Sequence, residues 1–178
     1  AGSIMLGEAG TIASSVSMSG GTLDADESLT LSGALSQSGS ITIDVASGKT
    51  LSYSGAALSL GAYTLTMSGE GRFSNTYDLV LNNASSKLLL SSSITVDRVS
   101  TSADSLGLDV DGDATVSIIY VGNTTPVSIA DRKTLSGAIT VSGGSIKLGE
   151  AGTLASTVSM SGGTLDVDES MTVSGALT

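Results

Sequence analysis

Apolar and polar residues alternate along this chain in short bursts. Ile41-Thr42-Ile43-Asp44-Val45, Tyr63-Thr64-Leu65-Thr66-Met67, Ile94-Thr95-Val96, Leu106-Gly107-Leu108-Asp109-Val110 and Val116-Ser117-Ile118 carry apolar residues at every second position, with Thr, Ser, Asp or Gly between. Successive side chains of an extended strand point to opposite faces, so this pattern predicts strands with one buried and one solvated face. Ile4-Met5-Leu6, Val16-Ser17-Met18, Leu29-Thr30-Leu31 and Asp78-Leu79-Val80-Leu81 are shorter bursts of the same kind. Gly7-Glu8-Ala9-Gly10, Ser19-Gly20-Gly21 and Ser32-Gly33 separate them as turns. No segment sustains the 3.6-residue apolar period of an amphipathic helix, so the chain reads as all-β.

The bursts recur. Corresponding strands are expected roughly every 15 to 22 residues, at Ile4, Leu23, Ile41, Leu65, Leu79, Ile94, Val116, Ile139 and Leu165. That spacing suits one rung of a parallel β-solenoid (β-helix), each rung holding two or three short strands joined by tight turns. A longer period lies above it. Residues 2–36 and 144–178 align at an offset of 142 with 28 of 35 positions identical. The exceptions are Met5/Lys147, Ile12/Leu154, Ser15/Thr157, Ala25/Val167, Leu29/Met171, Leu31/Val173 and Ser36/Thr178, mostly one apolar residue or one hydroxyl for another. The expectation is a single continuous solenoid segment over residues 1–178, cut from a tandem array whose unit holds about seven or eight rungs. Neither end shows an amphipathic cap. The chain is therefore expected either to continue in both directions or to stack end to end on copies of itself, and both routes make a fibre.

Composition narrows the fold. Aromatics are 3%, Trp is absent and Phe73 is the only Phe. A narrow coil interior is filled well by stacked Leu, Ile, Val, Ala and Met, whereas a string of immunoglobulin-like sandwiches wants longer strands and buried aromatics. Charged residues are 13%, about half the usual share. The single proline, Pro126, and the abundant Ile, Val and Leu argue against a disordered linker. Mean hydropathy is positive, but Ser, Thr, Gly or Asp interrupts every apolar run, so no segment reads as a spanning helix and no membrane insertion is expected.

Seventeen acids against seven bases give a net charge of −10. Nucleic acid binding needs a basic face, and the bases here are scattered, so no nucleic acid partner is expected. Acidity keeps a polymer soluble and attracts divalent cations. The densest acid cluster is Asp109-Val110-Asp111-Gly112-Asp113, where Asp109, Asp111 and Asp113 alternate as at the start of a calcium loop. The match then fails: Ala114 stands where such a loop needs Gly, and Tyr120 where it needs the bidentate Glu. These three are the calcium candidates, beside the simpler reading of a solvated turn; no other cofactor is expected. Asp24, Asp26 and Glu27 recur as Asp166, Asp168 and Glu169, another set that divalent ions could bridge between rungs.

Thr42, Thr64, Thr66, Thr95, Ser117 and Thr140 are expected to point outward. A flat Thr ladder on a solenoid would suit ice binding, but only Thr64-Leu65-Thr66 has the full form, and Met5, Asp24, Val80, Lys147 and Asp166 hold equivalent positions. His and Cys are absent, which removes the commonest acid/base and thiol chemistry, and no groove with interleaved bases and aromatics is legible. No enzymatic activity is expected. Asn83-Ala84-Ser85 and Asn123-Thr124-Thr125 are formal N-glycosylation acceptors.

The rung at residues 161–177, SGGTLDVDESMTVSGAL, resembles the repeat regions of large bacterial surface proteins: filamentous-haemagglutinin-like adhesins and autotransporter passenger domains. That resemblance covers the whole chain in style. It implies a secreted parallel β-helix that projects from the cell, adheres to surfaces or neighbouring cells, or builds biofilm matrix. The expected role is thus a structural repeat segment of a giant extracellular protein forming a fibre, stalk or matrix filament. The alternative is an adhesin or other surface-binding module for cell-surface components, polysaccharide or ice.

Overall fold

The structure is a computed structural model and describes residues 2–148, 151–167 and 172–178. It is a parallel β-solenoid of about eight turns, and no described residue is helical. The first face stacks Ser3–Leu6, Gly21–Ala25, Ile41–Val45, Thr64–Gly69, Lys87–Leu90, Gly107–Val110, Pro126–Ile129, Ser145–Leu148 and Thr164–Val167 into one nine-stranded sheet. The second face stacks Gly10–Ile12, Leu29–Leu31, Thr50–Tyr53, Arg72–Asn75, Thr95–Thr101, Ala114–Val121, Thr134–Val141, Thr153–Met160 and Thr172–Val173.

A third face begins separately with Val16–Met18 and Leu35–Gln37, then Leu58–Ser59 and Leu79–Leu81. From Thr95–Thr101 onward it fuses with the second: the start of that strand pairs with Arg72–Asn75 and its end with Leu79–Leu81. The fused strand turns its corner through a bulge. Register slips between Val116 and Ile118 opposite Gly137, whose φ is 131° and where a Cβ would sit 1.7 Å from the Val116 carbonyl oxygen. Only glycine fits that crossing.

Pairing along the first face runs Ile4, Leu23, Ile43, Met67, Leu90, Val110, Ile129, Leu148, Val167. The rung is therefore at the long end of the spacing expected from the pattern, and two rungs exceed it. Leu79, Ile94, Val116 and Ile139 do not lie on the first face, so reading them as successive first-face strands mixed positions around one coil. Seven steps carry Ser3–Leu6 to its sequence copy Ser145–Leu148.

The inward columns are those the alternation picks out. Ile43, Val45, Leu65, Leu88, Leu90, Val96, Val116, Leu135 and Leu154 are all fully buried. Tyr53 and Phe73 stack one above the other inside the coil, their ring centroids 5.9 Å apart. Leu106 departs from the pattern: it is 57% exposed, whereas alternation placed it beside Leu108 and Val110. The strand begins only at Gly107, whose φ of 107° breaks the extended run that alternation assumes.

Candidate functional site

With the interior closed by apolar columns, any chemistry lies on the outer faces and in the turns. The acid run separates on folding. Asp109 is on a strand of the first face, where its carboxylate pairs with Lys87 on the preceding rung, Nζ to Oδ2 2.5 Å. Asp113 accepts a hydrogen bond from the Thr134 amide of the following rung at 3.0 Å. Asp111 is exposed in the turn between them. Among the described residues no three acids converge as a metal cage would need. The carboxylates of Asp109 and Asp113 join one rung to the next.

That pattern is general. Lys49 pairs with Glu27 at 2.6 Å, Arg72 with Asp97 at 2.8 Å and Arg98 with Asp78 at 2.8 Å, each across neighbouring rungs. Asp78 also holds the Arg98 guanidinium above its ordinary pKa, through the hydrogen bond first and its charge second. Four of the scattered bases thus lie one rung from an acid, a spacing the linear sequence hides.

Asp24 is the exception. Its register partners are Met5 on one side and Asp44 on the other. Desolvation, then the charges of Asp26 and Asp44, push its carboxyl above the ordinary range. Asp44 has some relief, because Ser68 Oγ donates to it at 2.8 Å. In the second copy Lys147 replaces Met5 as the register partner of Asp166. Asp26 is exposed, and Asp168 and Glu169 lie outside the described residues.

All six expected outward hydroxyls do face outward, but on different faces. Thr42 and Thr66 stand in one first-face column with Thr22, flanked by Ser3 and Leu89. Thr64 is paired with Lys87. Thr95 is on the second face, between Arg72 and Thr115, and Thr140 is on the third, beside Tyr120 and Ser159. Ser117 is the bulged residue. The continuous Thr column is three rungs long. Of the glycosylation triplets, Asn83 is exposed, whereas Thr125, the third residue of its triplet, is buried with its hydroxyl 3.0 Å from that of Ser105.

The sequence reading missed Asn75. It points inward two residues after Phe73 and is 2% exposed. Its Nδ2 donates to the carbonyls of Tyr77 and Arg98 at 2.7 and 2.8 Å, and its Oδ1 accepts from the amides of Asp97 and Arg98 at 3.1 and 3.2 Å. The legible signal was an Asn at an inward position of an alternating strand, where an apolar residue is the norm.

These features define a class, the parallel β-solenoid whose neighbouring rungs are tied by side chains on the outside and stacked aliphatics on the inside. Comparison with protein-family models, curated proteins and solved structures returns no match to this chain.

Proposed function

We propose that this chain is a structural repeat segment of an extracellular fibre, stalk or matrix filament. One observation carries the reading. The second sequence copy re-enters the same inter-rung register as the first on all three faces. Ser3 pairs with Thr22 as Ser145 does with Thr164; Thr11 with Thr30 as Thr153 with Thr172; and Val16 with Leu35 as Val158 with Leu177. Seven rungs carry the strand Ser3–Leu6 to its copy Ser145–Leu148, so duplicating the unit adds a whole number of rungs to the stack. Length then comes from copying, stiffness from parallel backbone pairing along the axis, and solubility from the acidic Ser/Thr exterior.

Seven rungs at about 4.8 Å give an axial repeat of roughly 34 Å per unit. Cryo-electron microscopy of the native material tests the reading: filaments with that repeat support it. Discrete particles that bind polysaccharide, ice or cell-surface components saturably would replace it with an adhesin-type role, for which the Thr22–Thr42–Thr66 column is the best-ordered surface.

A further inference from the structure

The two Asn-x-Ser/Thr triplets lie on the same corner of the coil, where the third face hands over to the first. Asn83-Ala84-Ser85 falls between Leu79–Leu81 and Lys87–Leu90, and Asn123-Thr124-Thr125 falls between Ala114–Val121 and Pro126–Ile129. Both corners are inside the stack, with a rung on either side. Their chemistry is nevertheless different.

The turn at residues 82–86 is held from within by Ser86, which is 0% exposed. Its hydroxyl accepts from the Asn83 amide at 3.0 Å and donates to the Gly61 carbonyl of the preceding rung. Its own amide donates to the Asn83 carbonyl at 2.8 Å, and its carbonyl accepts from the Leu106 amide of the following rung at 2.9 Å. Asn82 Oδ1 accepts from the Gly61 amide at 2.8 Å. The backbone of the triplet is thus fixed to both neighbouring rungs, while Asn83, Ala84 and Ser85 are all exposed. Asn83 Oδ1 accepts from the Ser85 amide at 2.9 Å, which closes a tight turn of the kind Asn side chains make with backbone two residues on. Asn83 Nδ2 and the Ser85 hydroxyl have no hydrogen-bond partner among the described residues.

The later triplet has its hydroxyl locked away. Thr125 is 1% exposed, its Oγ1 lies 3.0 Å from the Ser105 hydroxyl, and its carbonyl accepts from the Ser145 amide at 3.1 Å. The Thr124 amide is tied to Asp104 Oδ1 at 2.8 Å. Asn123 is exposed, but the group two residues on that completes the acceptor signal is inside the wall.

The geometry points to Asn83 as an N-glycan acceptor in the folded protein, and to Asn123 as a triplet that folding silences. The donor is an oligosaccharide carried on a polyprenyl diphosphate, and an oligosaccharyltransferase delivers it. Asn83 Nδ2 forms the bond to the anomeric carbon and gives up one proton. The bond from that carbon to the diphosphate oxygen breaks, its electron pair leaves with the lipid diphosphate, and the proton passes to a base of the transferase. A glycan placed there projects from a corner and leaves the ladders of all three faces paired. The inference rests on the extracellular reading only for where the chain meets such a donor.

The test uses the purified, folded chain with polyprenyl-diphosphate-linked chitobiose and a single-subunit oligosaccharyltransferase, read by intact mass and glycopeptide mapping. Peptides spanning residues 79–89 and 119–129 serve as unfolded acceptors. Transfer is expected at Asn83 in the folded chain and at both sites in the peptides. In the folded chain Asn83 should react about tenfold or more faster than Asn123, which is reached only through a local opening that frees Thr125. Ser85→Ala should abolish transfer to Asn83 and leave the melting temperature unchanged, since that hydroxyl bonds to nothing in the fold; Ser85→Thr should keep both transfer and stability. No transfer to Asn83 in the folded chain overturns the proposal, whether or not the peptide accepts. So do equal rates at Asn83 and Asn123, or transfer that survives Ser85→Ala. Filaments whose Asn83 refuses the glycan remove the acceptor site alone; transfer to a chain that never forms filaments removes the fibre reading alone.

Discussion

The Tyr53 hydroxyl accepts a hydrogen bond from the Leu35 amide of the preceding rung at 3.0 Å. The strand Leu35–Gln37 pairs with Val16–Met18 and has no strand partner above it among the described residues, so a side chain supplies the acceptor that the backbone ladder lacks there. Tyr53→Phe keeps the ring stacked on Phe73 and leaves that buried amide unpaired, an expected loss of about 1–3 kcal/mol. Phe73→Ala instead opens a cavity in the coil and costs about 3–5 kcal/mol. Urea unfolding of the two variants separates them. A Tyr53→Phe variant as stable as the parent would mean that the hydroxyl contributes nothing.

Asn75→Leu is close in volume but strands the amides and carbonyls that Asn75 serves. Orphaning several buried groups at once exceeds the cost of one, so a loss above about 2 kcal/mol is expected. A variant as stable as the parent in chemical denaturation would show that the corner rearranges to satisfy them.

Gly137→Ala should destabilise by more than about 1 kcal/mol, because φ is positive and the new Cβ meets the Val116 carbonyl. Removing the bulge by deleting Ser117 is expected to restore a straight ladder and to recover part of that loss when combined with Gly137→Ala. Thermal melting of the single variants and the combination checks both points.

Asp24 yields a pH dependence of unusual sign for a carboxylate. Its pKa is raised in the fold, so the folded state binds the proton more tightly than the unfolded chain. The associated stability is fully present below the unfolded pKa and is lost as pH rises through the raised folded value. Asp24→Asn should therefore stabilise the protein at neutral pH by about a few tenths of a kcal/mol, the scale of one unfavourable cross-strand pair. The gain should vanish in acid. A gain that persists unchanged below pH about 3 would assign it to something other than charge.

Lys87 and Asp109 form a partly exposed pair, expected to contribute under about 1 kcal/mol and to weaken with salt. A double-mutant cycle with Lys87→Met and Asp109→Asn measures it. Coupling that survives molar salt would contradict the assignment.

Much of the fold was legible because a solenoid writes its packing as local alternation. Ile41–Val45 and Thr64–Gly69 bury the residues that period-2 spacing selects, and the long-period repeat called for a serial architecture. Side-chain partners were not legible. Asp109 read as part of an acid run with Asp111 and Asp113, but its charge is met by Lys87, one full rung earlier in the chain. Around a coil, linear neighbours fan out while residues a whole turn apart stack.

The sequence by itself determined that the chain is all-β, that Ile, Leu and Val form its inner columns, and that residues 144–178 restate residues 2–36. Only the tertiary structure decided which residues share a face and how a given corner is shaped. Residues 12–16 and 154–158 are nearly the same peptide, yet the first leaves the strand between Gly10–Ile12 and Val16–Met18 while the second stays within the unbroken strand Thr153–Met160. The peptide has few preferences of its own, being small and rich in Ser and Ala. In the later copy the conformation goes with the hydrogen bonds that the neighbouring rung supplies: Thr134–Val141 pairs with it residue for residue and Ser156 Oγ donates to the Leu135 carbonyl.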